Sequence, residues 1–400
     1  MVESSRWYSV PETLSAKAGL PIVSLPFNNQ IQTSPFSVRS SYYLPLQTVN
    51  MSPSLVAPRQ KALSLRHPTM AGKEYLEEFS KKYIIDVLDV PNREEWLKQL
   101  PKKVAKDGPY SALIIGMGTG PYEPFDAEFC QALLPDLKLV VSASAGYNEF
   151  DVSWMTENNI WFCNTVDAVS EATADMAIFL TLAALRDTTN AERSARAGNW
   201  KAGFVPCRDP TGLRLGIIGM GAIGKHIARK AAVFNLEIVY HNRKRLQEAD
   251  ETTYKATYCP TLASLLETSD IVSISVPLND ETTGMISESE IALMKDSSIL
   301  INTARGAVVD EAALIEALES GKIWRAGLDV FCNEPDINPY FKTSDKVVVQ
   351  PHLGGLTAVA FRKAYRECFE NVASFFDTGK PLAPVNDVTR AKGTPTASLP

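Results

Sequence analysis

The sequence lacks the paired cysteines of a disulfide-rich or zinc-binding protein. Six cysteines are scattered at positions 130, 163, 207, 259, 332 and 368. They form no C-x-x-C pair and lie near no cluster of the four histidines. This pattern is more typical of free thiols in a reducing compartment than of disulfides, and we expect no metal site.

Long apolar runs and an excess of positive charge are also missing. No run approaches the roughly 18 apolar residues that indicate a transmembrane helix, so we expect no membrane partner. The net charge of −6 argues against non-specific binding to nucleic acid. Because 400 residues are more than one hydrophobic core usually serves, two domains are expected.

Residues 1–55 are poor in acidic residues and have no sustained periodicity. They are rich in serine and proline, and Glu3 and Glu12 are their acids. This composition predicts a disordered extension of a cytoplasmic protein. The alternative is an organelle-targeting peptide, although arginine is sparse. Residues 386–400 are predicted to be a loose tail.

From about residue 60, short apolar runs alternate with helical periodicity, which predicts an α/β protein. Its two Rossmann-like domains would each have a doubly wound parallel sheet. Residues 166–352 are predicted to form a dinucleotide-binding domain, and residues 56–165 a substrate domain. The apolar helix expected after that domain, around 358–379, should return to it. The substrate domain is therefore predicted to be discontinuous, with 353–385 as its second part.

A single long helix is predicted over residues 170–200, with Ser170 as its N-cap. Its first half is apolar on nearly all sides, which indicates burial between domains or subunits. We therefore expect a homodimer.

A glycine-rich turn, "LGIIGMGAIG" (215–224), places Gly219, Gly221 and Gly224 in the spacing G-x-G-x-x-G. It follows a predicted strand and opens a predicted helix, which is the context of a dinucleotide-binding turn. Gly219 would make the tight turn, Gly221 would admit a pyrophosphate, and Gly224 would let helix and strand touch. The similar "LIIGMGTGP" (113–121) has the wrong spacing and is interpreted as a strand and loop.

An acidic residue is absent from positions 238–247, where an NAD-specific protein usually binds the ribose 2′-hydroxyl. The basic loop there contains Asn242, Arg243, Lys244 and Arg245. A guanidinium, first that of Arg243, would attract a 2′-phosphate. NADP(H) is therefore the preferred cofactor, with NAD(H) as the alternative. The other interpretation of the basic run is a solvated start of a helix.

Five segments resemble the D-isomer-specific 2-hydroxyacid dehydrogenases, in particular their glyoxylate/hydroxypyruvate reductase branch. They are "SASAGYNEFDV" (142–152), "VPLNDETTGMI" (276–286), "LINTARGAVVDEAALIEAL" (300–318), "AGLDVFCNEP" (326–335) and "QPHLGG" (350–355). The resemblance implies catalytic roles for three residues. His352 would donate a proton to the substrate carbonyl, Glu334 would stabilise the imidazolium, and Arg305 would bind substrate.

The same resemblance implies further contacts. The backbone at Ser144, Ala145 and Gly146 would bind the substrate carboxylate, although Gly146 could instead serve turn geometry. Asp329 would lie near the nicotinamide carboxamide. The remaining cofactor contacts would come from Ala222, Ile223, Val276, Pro277, Thr282, Thr303, Ala304, Gly354 and Gly355.

The predicted function is NADPH-dependent reduction of a small 2-keto acid, glyoxylate or hydroxypyruvate, to the 2-hydroxy acid. The partner is thus a small molecule. Two features differ from the family pattern, namely Ser275 in place of a histidine and an enlarged loop within 116–129. The loop keeps a bulkier 2-keto acid open as substrate. A dinucleotide-sensing scaffold or corepressor is the alternative from another class.

Overall fold

The computed structural model describes residues 59–165, 167–201 and 203–391. The predicted extension over 1–55 lies outside these residues, as does most of the predicted tail. Within the described residues, the chain forms two parallel β-sheets whose strands alternate with helices. The predicted α/β fold class is therefore confirmed.

The first sheet has five parallel strands in the order β2-β1-β3-β4-β5. They are β1 Lys61–Leu65, β2 Ile84–Leu88, β3 Ala112–Ile115, β4 Leu139–Ser142 and β5 Trp161–Cys163. Its helices are α1 Lys73–Lys82, α2 Arg93–Asp107, α3 Ala127–Cys130 and α4 Val152–Glu157. The strand order reverses between β1 and β3, which is the point where such sheets bind ligands.

The second sheet has seven parallel strands in the order β12-β11-β10-β9-β6-β7-β8. They are β6 Arg214–Ile218, β7 Glu237–His241, β8 Ala256–Tyr258, β9 Ile271–Ile274, β10 Ser298–Asn302, β11 Ile323–Leu328 and β12 Val347–Val349. Its helices are α5 Ser170–Arg186, α6 Thr188–Arg196, α7 Ala222–Val233, α8 Glu248–Tyr254, α9 Leu262–Thr268, α10 Glu288–Leu293, α11 Glu311–Ser320 and α12 Pro339–Thr343. Here the order reverses between β6 and β9.

The prediction of one helix over 170–200 is wrong, because the chain breaks at Asp187. Asp187 has a φ of 52°, in the left-handed region, and ends α5. Its carboxylate pairs with Arg325 at 2.6 Å and accepts a hydrogen bond from Asn190 at 2.7 Å. Ser170 is the first residue of α5, and Val169 occupies the N-cap position. The apolar first half of α5 packs on the seven-stranded sheet.

Helix α13, Ala358–Thr378, follows the second sheet and packs on the first. Ala364, Phe369 and Val372 share a buried cluster with the strands around Ile114 and Val141. Asn386, which was assigned to the tail, also bonds to the first sheet. It accepts from the N–H of Phe162 at 2.8 Å and donates to the carbonyl of Ile160 at 2.9 Å.

Short segments complete the fold. Turns of 3-10 helix lie at Thr69–Ala71, Gly120–Tyr122, Gln131–Leu133, Gly306–Val308 and Val388–Ala391. In the part of the chain that the structure describes, no helix has both the length and the apolar character needed to span a bilayer.

Candidate active site

The glycine-rich turn joins β6 to α7 at the reversal point of the seven-stranded sheet. Gly219 has a φ of 97°, in the region that favours glycine. Gly224 approaches the carbonyl of Gly219 so closely that a β-carbon would overlap it. Gly221, in contrast, is exposed, with open space where a β-carbon would stand. The turn thus leaves the amino end of a 12-residue helix accessible to a phosphate.

Two buried hydroxyls near this turn have no partner. The side chains of Ser275 and Thr303 follow the neighbouring strands β9 and β10, and each has a buried oxygen without a hydrogen bond among the described residues. The carbonyl oxygen of Ser275 lies beside Gly219, at 2.6 Å from the position that a β-carbon on Gly219 would occupy. Buried polar groups are normally hydrogen-bonded, so a polar ligand at this edge would satisfy them. These residues therefore suit a dinucleotide.

The loop after β9 has a defined shape. The Thr282 hydroxyl donates to the carbonyl of Pro277 at 2.6 Å and accepts from the N–H of Asn279 at 2.9 Å. The Val276 side chain packs against Gly219, at 2.9 Å from its β-carbon position. Thr282 is thus engaged within its own loop, and its role is to shape the loop beside the dinucleotide turn.

The basic loop after β7 is organised by two contacts. The Asn242 side chain accepts from the N–H of Met220 at 2.7 Å and so joins this loop to the glycine-rich turn. Arg245 pairs with both carboxylate oxygens of Glu251 at 2.8 and 2.7 Å. The hydrogen bonds from Arg245 and Tyr240 lower the pKa of Glu251 to about 2. The Arg245 guanidinium therefore already has a bidentate partner, and its contact with a cofactor stays a prediction.

Arg243 and Lys244 are exposed, as Arg245 is, and neither of them contacts Glu251. Arg243 forms an ion pair with Glu281 at 2.7 Å, and both side chains are largely exposed. Exposed pairs contribute only about 0–1 kcal/mol, so a dianionic phosphate can displace this one. Arg243 and Lys244 could hold a 2′-phosphate.

His352 lies in the loop after β12 and is bonded to Glu334. The Nδ1 of His352 is 2.7 Å from Oε2 of Glu334. The Oε1 of Glu334 accepts a hydrogen bond from the N–H of Phe331 at 2.9 Å. Burial raises the pKa of Glu334, but the hydrogen bonds from His352 and Phe331 and the charges of His352 and Arg305 outweigh it and lower that pKa. The pair is a histidine held by an ionised carboxylate.

Asp329 fixes the loop that carries His352. Its carboxylate is buried and accepts from the N–H groups of Leu353 at 2.8 Å and Gly354 at 2.7 Å. His352 itself has a φ of 56°, a strained value for a residue with a side chain. A β-carbon at Gly354 would stand 2.8 Å from the Asp329 carboxylate, and one at Gly355 would stand 3.2 Å from Val169. The two glycines thus allow close packing around the His352 loop.

Arg305 follows β10, and two neighbours hold its backbone. The buried Asn302 donates to the carbonyl of Arg305 at 2.9 Å and accepts from the N–H of Ala304 at 3.0 Å. Gly306 packs on the backbone of Phe331 so tightly that a β-carbon would overlap it. Gly306 therefore keeps the Arg305 loop against the loop that carries Glu334.

The Arg305 side chain reaches the first sheet. Its Nε donates to the Asn148 side chain at 3.1 Å and its Nη1 to the carbonyl of Ala304 at 2.8 Å. A β-carbon at Gly146 would overlap Nη2 of Arg305. No φ in the left-handed region requires glycine at 146, so its role is to admit the guanidinium.

The segment Ser144 to Gly146 is shaped by side-chain bonds. The Ser144 hydroxyl donates to the carbonyl of Gly146 at 3.0 Å, and Asn164 donates to the carbonyl of Ala145 at 2.7 Å. Among the hydrogen bonds of the described residues, none uses the N–H of Ala145 or Gly146. The segment with these two amides thus lies beside the Arg305 guanidinium, and groups of these kinds can bind a carboxylate.

Glu149 is a titratable group at this cleft that sequence reasoning missed. Burial raises the pKa of its carboxyl, while the nearby charges of Arg305 and His352 act in the opposite direction. Asn148, Asn302 and Gly306 were missed as well. A polar residue at the end of a buried strand was the available signal for Asn302. The others depend on contacts between distant segments.

A family model for the NAD-binding domain of D-isomer-specific 2-hydroxyacid dehydrogenases matches residues 178–354. The chain is 37% identical to 4-methyl-2-oxopentanoate reductase A of Aspergillus oryzae, over 80% of this chain and 96% of that protein. A doubly wound fold with a glycine-rich turn of this kind is typical of dinucleotide-binding proteins. This chain belongs to the D-isomer-specific 2-hydroxyacid dehydrogenase family, near its glyoxylate reductases.

Two solved structures have the same fold. A glyoxylate reductase from Paecilomyes thermophila is 36% identical, with a TM-score of 0.75, covering 82% of this chain and 98% of that chain. An NADPH-dependent glyoxylate/hydroxypyruvate reductase of Sinorhizobium meliloti, in complex with NADP and malonate, is 29% identical with a TM-score of 0.69. The match covers 82% of this chain and 97% of that one. Metal-binding groups of three or more side chains are absent from the described residues.

Proposed function

We propose that this protein reduces small 2-keto acids to 2-hydroxy acids with NADPH, glyoxylate and hydroxypyruvate being the first substrates to test. The convergence of Arg305, the free amides at Ala145 and Gly146, and the His352–Glu334 pair on one cleft carries this proposal. A 2-keto acid needs a cation and amides for its carboxylate, and a proton donor for its carbonyl oxygen.

His352 would supply the proton. Its Nδ1 is bonded to Glu334 at 2.7 Å, so the other ring nitrogen is the one available to a substrate. The ionised Glu334 stabilises the imidazolium and fixes the plane of the ring. A nicotinamide dinucleotide bound at the glycine-rich turn would supply the hydride. As negative charge develops on the carbonyl oxygen, the proton moves from His352 to that oxygen.

Arg305 would bind and orient the substrate. The contact with Asn148 occupies Nε, and the terminal nitrogens lie beside Gly146. A guanidinium and two amide N–H groups hold a planar carboxylate in one orientation, which lysine cannot reproduce. The positive charge also favours electron density on the reacting carbonyl.

The absence of an acid at 238–247 and the exposed Arg243 and Lys244 support a preference for NADPH. The Sinorhizobium meliloti reductase, which has the same fold, holds NADP. We expect Arg243→Ala to lower kcat/KM for NADPH by about 10- to 100-fold, the value of one charge-assisted hydrogen bond, with little effect on NADH. Arg245→Ala is the matched comparison: it should lower stability and leave the NADPH/NADH ratio unchanged.

The experiment crosses NADPH and NADH with glyoxylate, hydroxypyruvate, pyruvate and phenylglyoxylate, and measures oxidation of the cofactor. The proposal requires turnover of at least one small 2-keto acid and a higher kcat/KM with NADPH. Equal or better turnover with NADH would contradict the cofactor assignment. No turnover with any pair would favour a dinucleotide-sensing scaffold instead.

A bulkier substrate is the second candidate. The relative from Aspergillus oryzae is named a 4-methyl-2-oxopentanoate reductase, and the enlarged loop after β3 borders the same sheet edge as Ser144. A higher kcat/KM for 4-methyl-2-oxopentanoate or phenylglyoxylate than for glyoxylate would favour this candidate.

We also propose a homodimer. Trp200 and Val205 are apolar side chains with 73% and 75% of their surface exposed, and both lie on the segment after α6. Exposed apolar clusters of this kind usually mark a contact surface. Sedimentation at micromolar concentration should give twice the mass of the chain, and Trp200→Glu should shift it to monomer.

A further inference from the structure

Arg66 lies at the reversal point of the five-stranded sheet. It directly follows β1, and the next strand across the reversal is β3, which ends at Ile115. Ligands of doubly wound sheets bind outside the carboxyl ends of the strands at this point. The function proposed above uses the end of β4, where Ser144 to Gly146 lie, and leaves the reversal point itself unassigned.

The Arg66 side chain is a cation without an ion pair. Among the described residues, no carboxylate oxygen lies within 4.0 Å of its guanidinium. The guanidinium lies 5.7 Å from the centre of the Tyr122 ring and 3.5 Å from the β-carbon position of Gly118. Tyr122 is buried and donates its hydroxyl to the carbonyl of Val90 at 2.6 Å, so it is a fixed support.

The backbone of Arg66 is strained. Its φ is 67°, in the region that residues with a side chain rarely adopt. Two hydrogen bonds hold it there: its carbonyl accepts from Ser64 at 2.9 Å and its N–H donates to Leu88 at 3.3 Å. Strain of this kind persists where the surroundings impose it and concentrates at ligand sites.

The neighbouring acids are engaged or face other groups. Asp89 lies 3.9 Å from His67, and Glu123 accepts from the Thr119 hydroxyl at 2.6 Å. Arg66 therefore remains available to an external anion.

Arg66 lies two strands away from the segment that is proposed to bind the substrate carboxylate. Leu65, Ile115 and Ser142 are aligned in register across β1, β3 and β4. Two strand spacings therefore separate Arg66 from the segment after β4, about 10 Å. An arginine side chain is longer than one such spacing, so it can approach the far end of a substrate held at Gly146.

We propose that Arg66 binds the second carboxylate of a dicarboxylic 2-keto acid, such as oxaloacetate, and so extends the substrate range to dianions. This inference rests on the proposed function, since it assumes that the first carboxylate binds at Arg305 and Gly146. The aromatic face of Tyr122 keeps the guanidinium in place, and the open glycine loop at Gly118 leaves room for the carboxylate.

Oxaloacetate and 4-methyl-2-oxopentanoate provide a matched test. Both molecules have a 2-keto acid group followed by a methylene. Oxaloacetate then carries a carboxylate, and 4-methyl-2-oxopentanoate carries an uncharged isopropyl group of similar shape. We expect Arg66→Ala to lower kcat/KM for oxaloacetate about tenfold and to leave that for 4-methyl-2-oxopentanoate within twofold. Arg66→Lys should retain most of the oxaloacetate activity, since the charge remains.

Arg59→Ala is the control, because Arg59 is exposed just before the opposite end of β1 and should not affect the ratio. An equal loss for both substrates in Arg66→Ala would mean that Arg66 only packs on Tyr122, and would overturn the inference. An unchanged ratio, or no turnover of oxaloacetate by the unmodified protein, would also overturn it. Failure to reduce any 2-keto acid would instead contradict the proposed function.

Discussion

Arg305 and Gly146 depend on each other although they follow strands of different sheets. The guanidinium occupies the space that any other residue at 146 would fill. Asn148 then fixes the side chain through Nε at 3.1 Å. The orientation of the Arg305 guanidinium is therefore determined by residues that follow strands of both sheets.

Gly146→Ala should displace Arg305 without unfolding the chain. A shift of about 1 Å in a substrate-positioning group can cost about 100-fold in rate, so we expect kcat/KM for glyoxylate to fall by about that factor. Gly120→Ala is the control, because nothing lies within 4 Å of its β-carbon position. A glyoxylate activity of Gly146→Ala close to that of the control would contradict the assigned contact.

Glu334→Gln tests the ionised partner of His352. Because the pKa of Glu334 is lowered, its carboxylate is charged at neutral pH and becomes protonated as pH falls through that lowered pKa. Glutamine keeps the size but removes the charge that stabilises the imidazolium. The variant should therefore reduce glyoxylate more slowly at neutral pH, and its pH–rate profile should lack the loss of activity at acidic pH that protonation of Glu334 causes in the unmodified protein. An unchanged rate at neutral pH together with an unchanged acidic limb would contradict this role.

At the residue scale, the sequence motifs were sufficient to predict Arg305, Glu334 and His352 as candidates. They were not sufficient for Asn148, Glu149 or Gly306. Those residues act across gaps between segments that are distant in the chain, and no local pattern encodes which side chains meet there. The pairing of Arg245 with Glu251 was likewise not evident from the motif, since Glu251 lies on a helix that begins three residues later.

At the scale of elements, the break between α5 and α6 has a local cause. Propensity and apolar periodicity favour a continuous helix, but the Asp187–Arg325 pair and the Asn190 contact stabilise a left-handed residue. The two charged side chains are each only 15% exposed. A sequence pattern contains neither the ion pair nor the burial, so it could not predict the break.

Asp187→Ala should destabilise the protein by about 3 kcal/mol, because it leaves Arg325 charged, unpaired and mostly buried. Asp187→Gly removes the same charge but relieves the left-handed backbone, so it should recover about 1 kcal/mol of that loss. Denaturant unfolding measures both free energies. Equal values for the two variants would show that the backbone at 187 is not strained.

Strands β5 and β8 were not predicted, and each has only three residues. Segments that short have too few residues for a period to be recognised. Strand β12 is equally short, but it is a run of three valines, and like the longer strands it was predicted because parallel strands covered on both faces are apolar throughout. The order of the strands in each sheet, in contrast, depends on which strands pair with each other, and the hydrophobic pattern of the sequence does not encode that.

At the scale of the whole molecule, the carboxyl edges of both sheets contribute to one cleft. The dinucleotide turn and Arg305 follow strands of the seven-stranded sheet, and Gly146 follows a strand of the five-stranded sheet. The alternation of strands and helices predicted this class of fold. Only the folded chain reveals that Arg305 bridges the two edges.

The proposed reduction depends on His352 as the proton donor to the substrate carbonyl. The measurement is the steady-state rate of glyoxylate reduction with NADPH by His352→Ala, with NADPH binding followed separately by fluorescence. We predict that His352→Ala binds NADPH as the unmodified protein does, and that its kcat is lower by about 10²- to 10⁴-fold. A variant that binds NADPH and reduces glyoxylate at a rate close to that of the unmodified protein would contradict it.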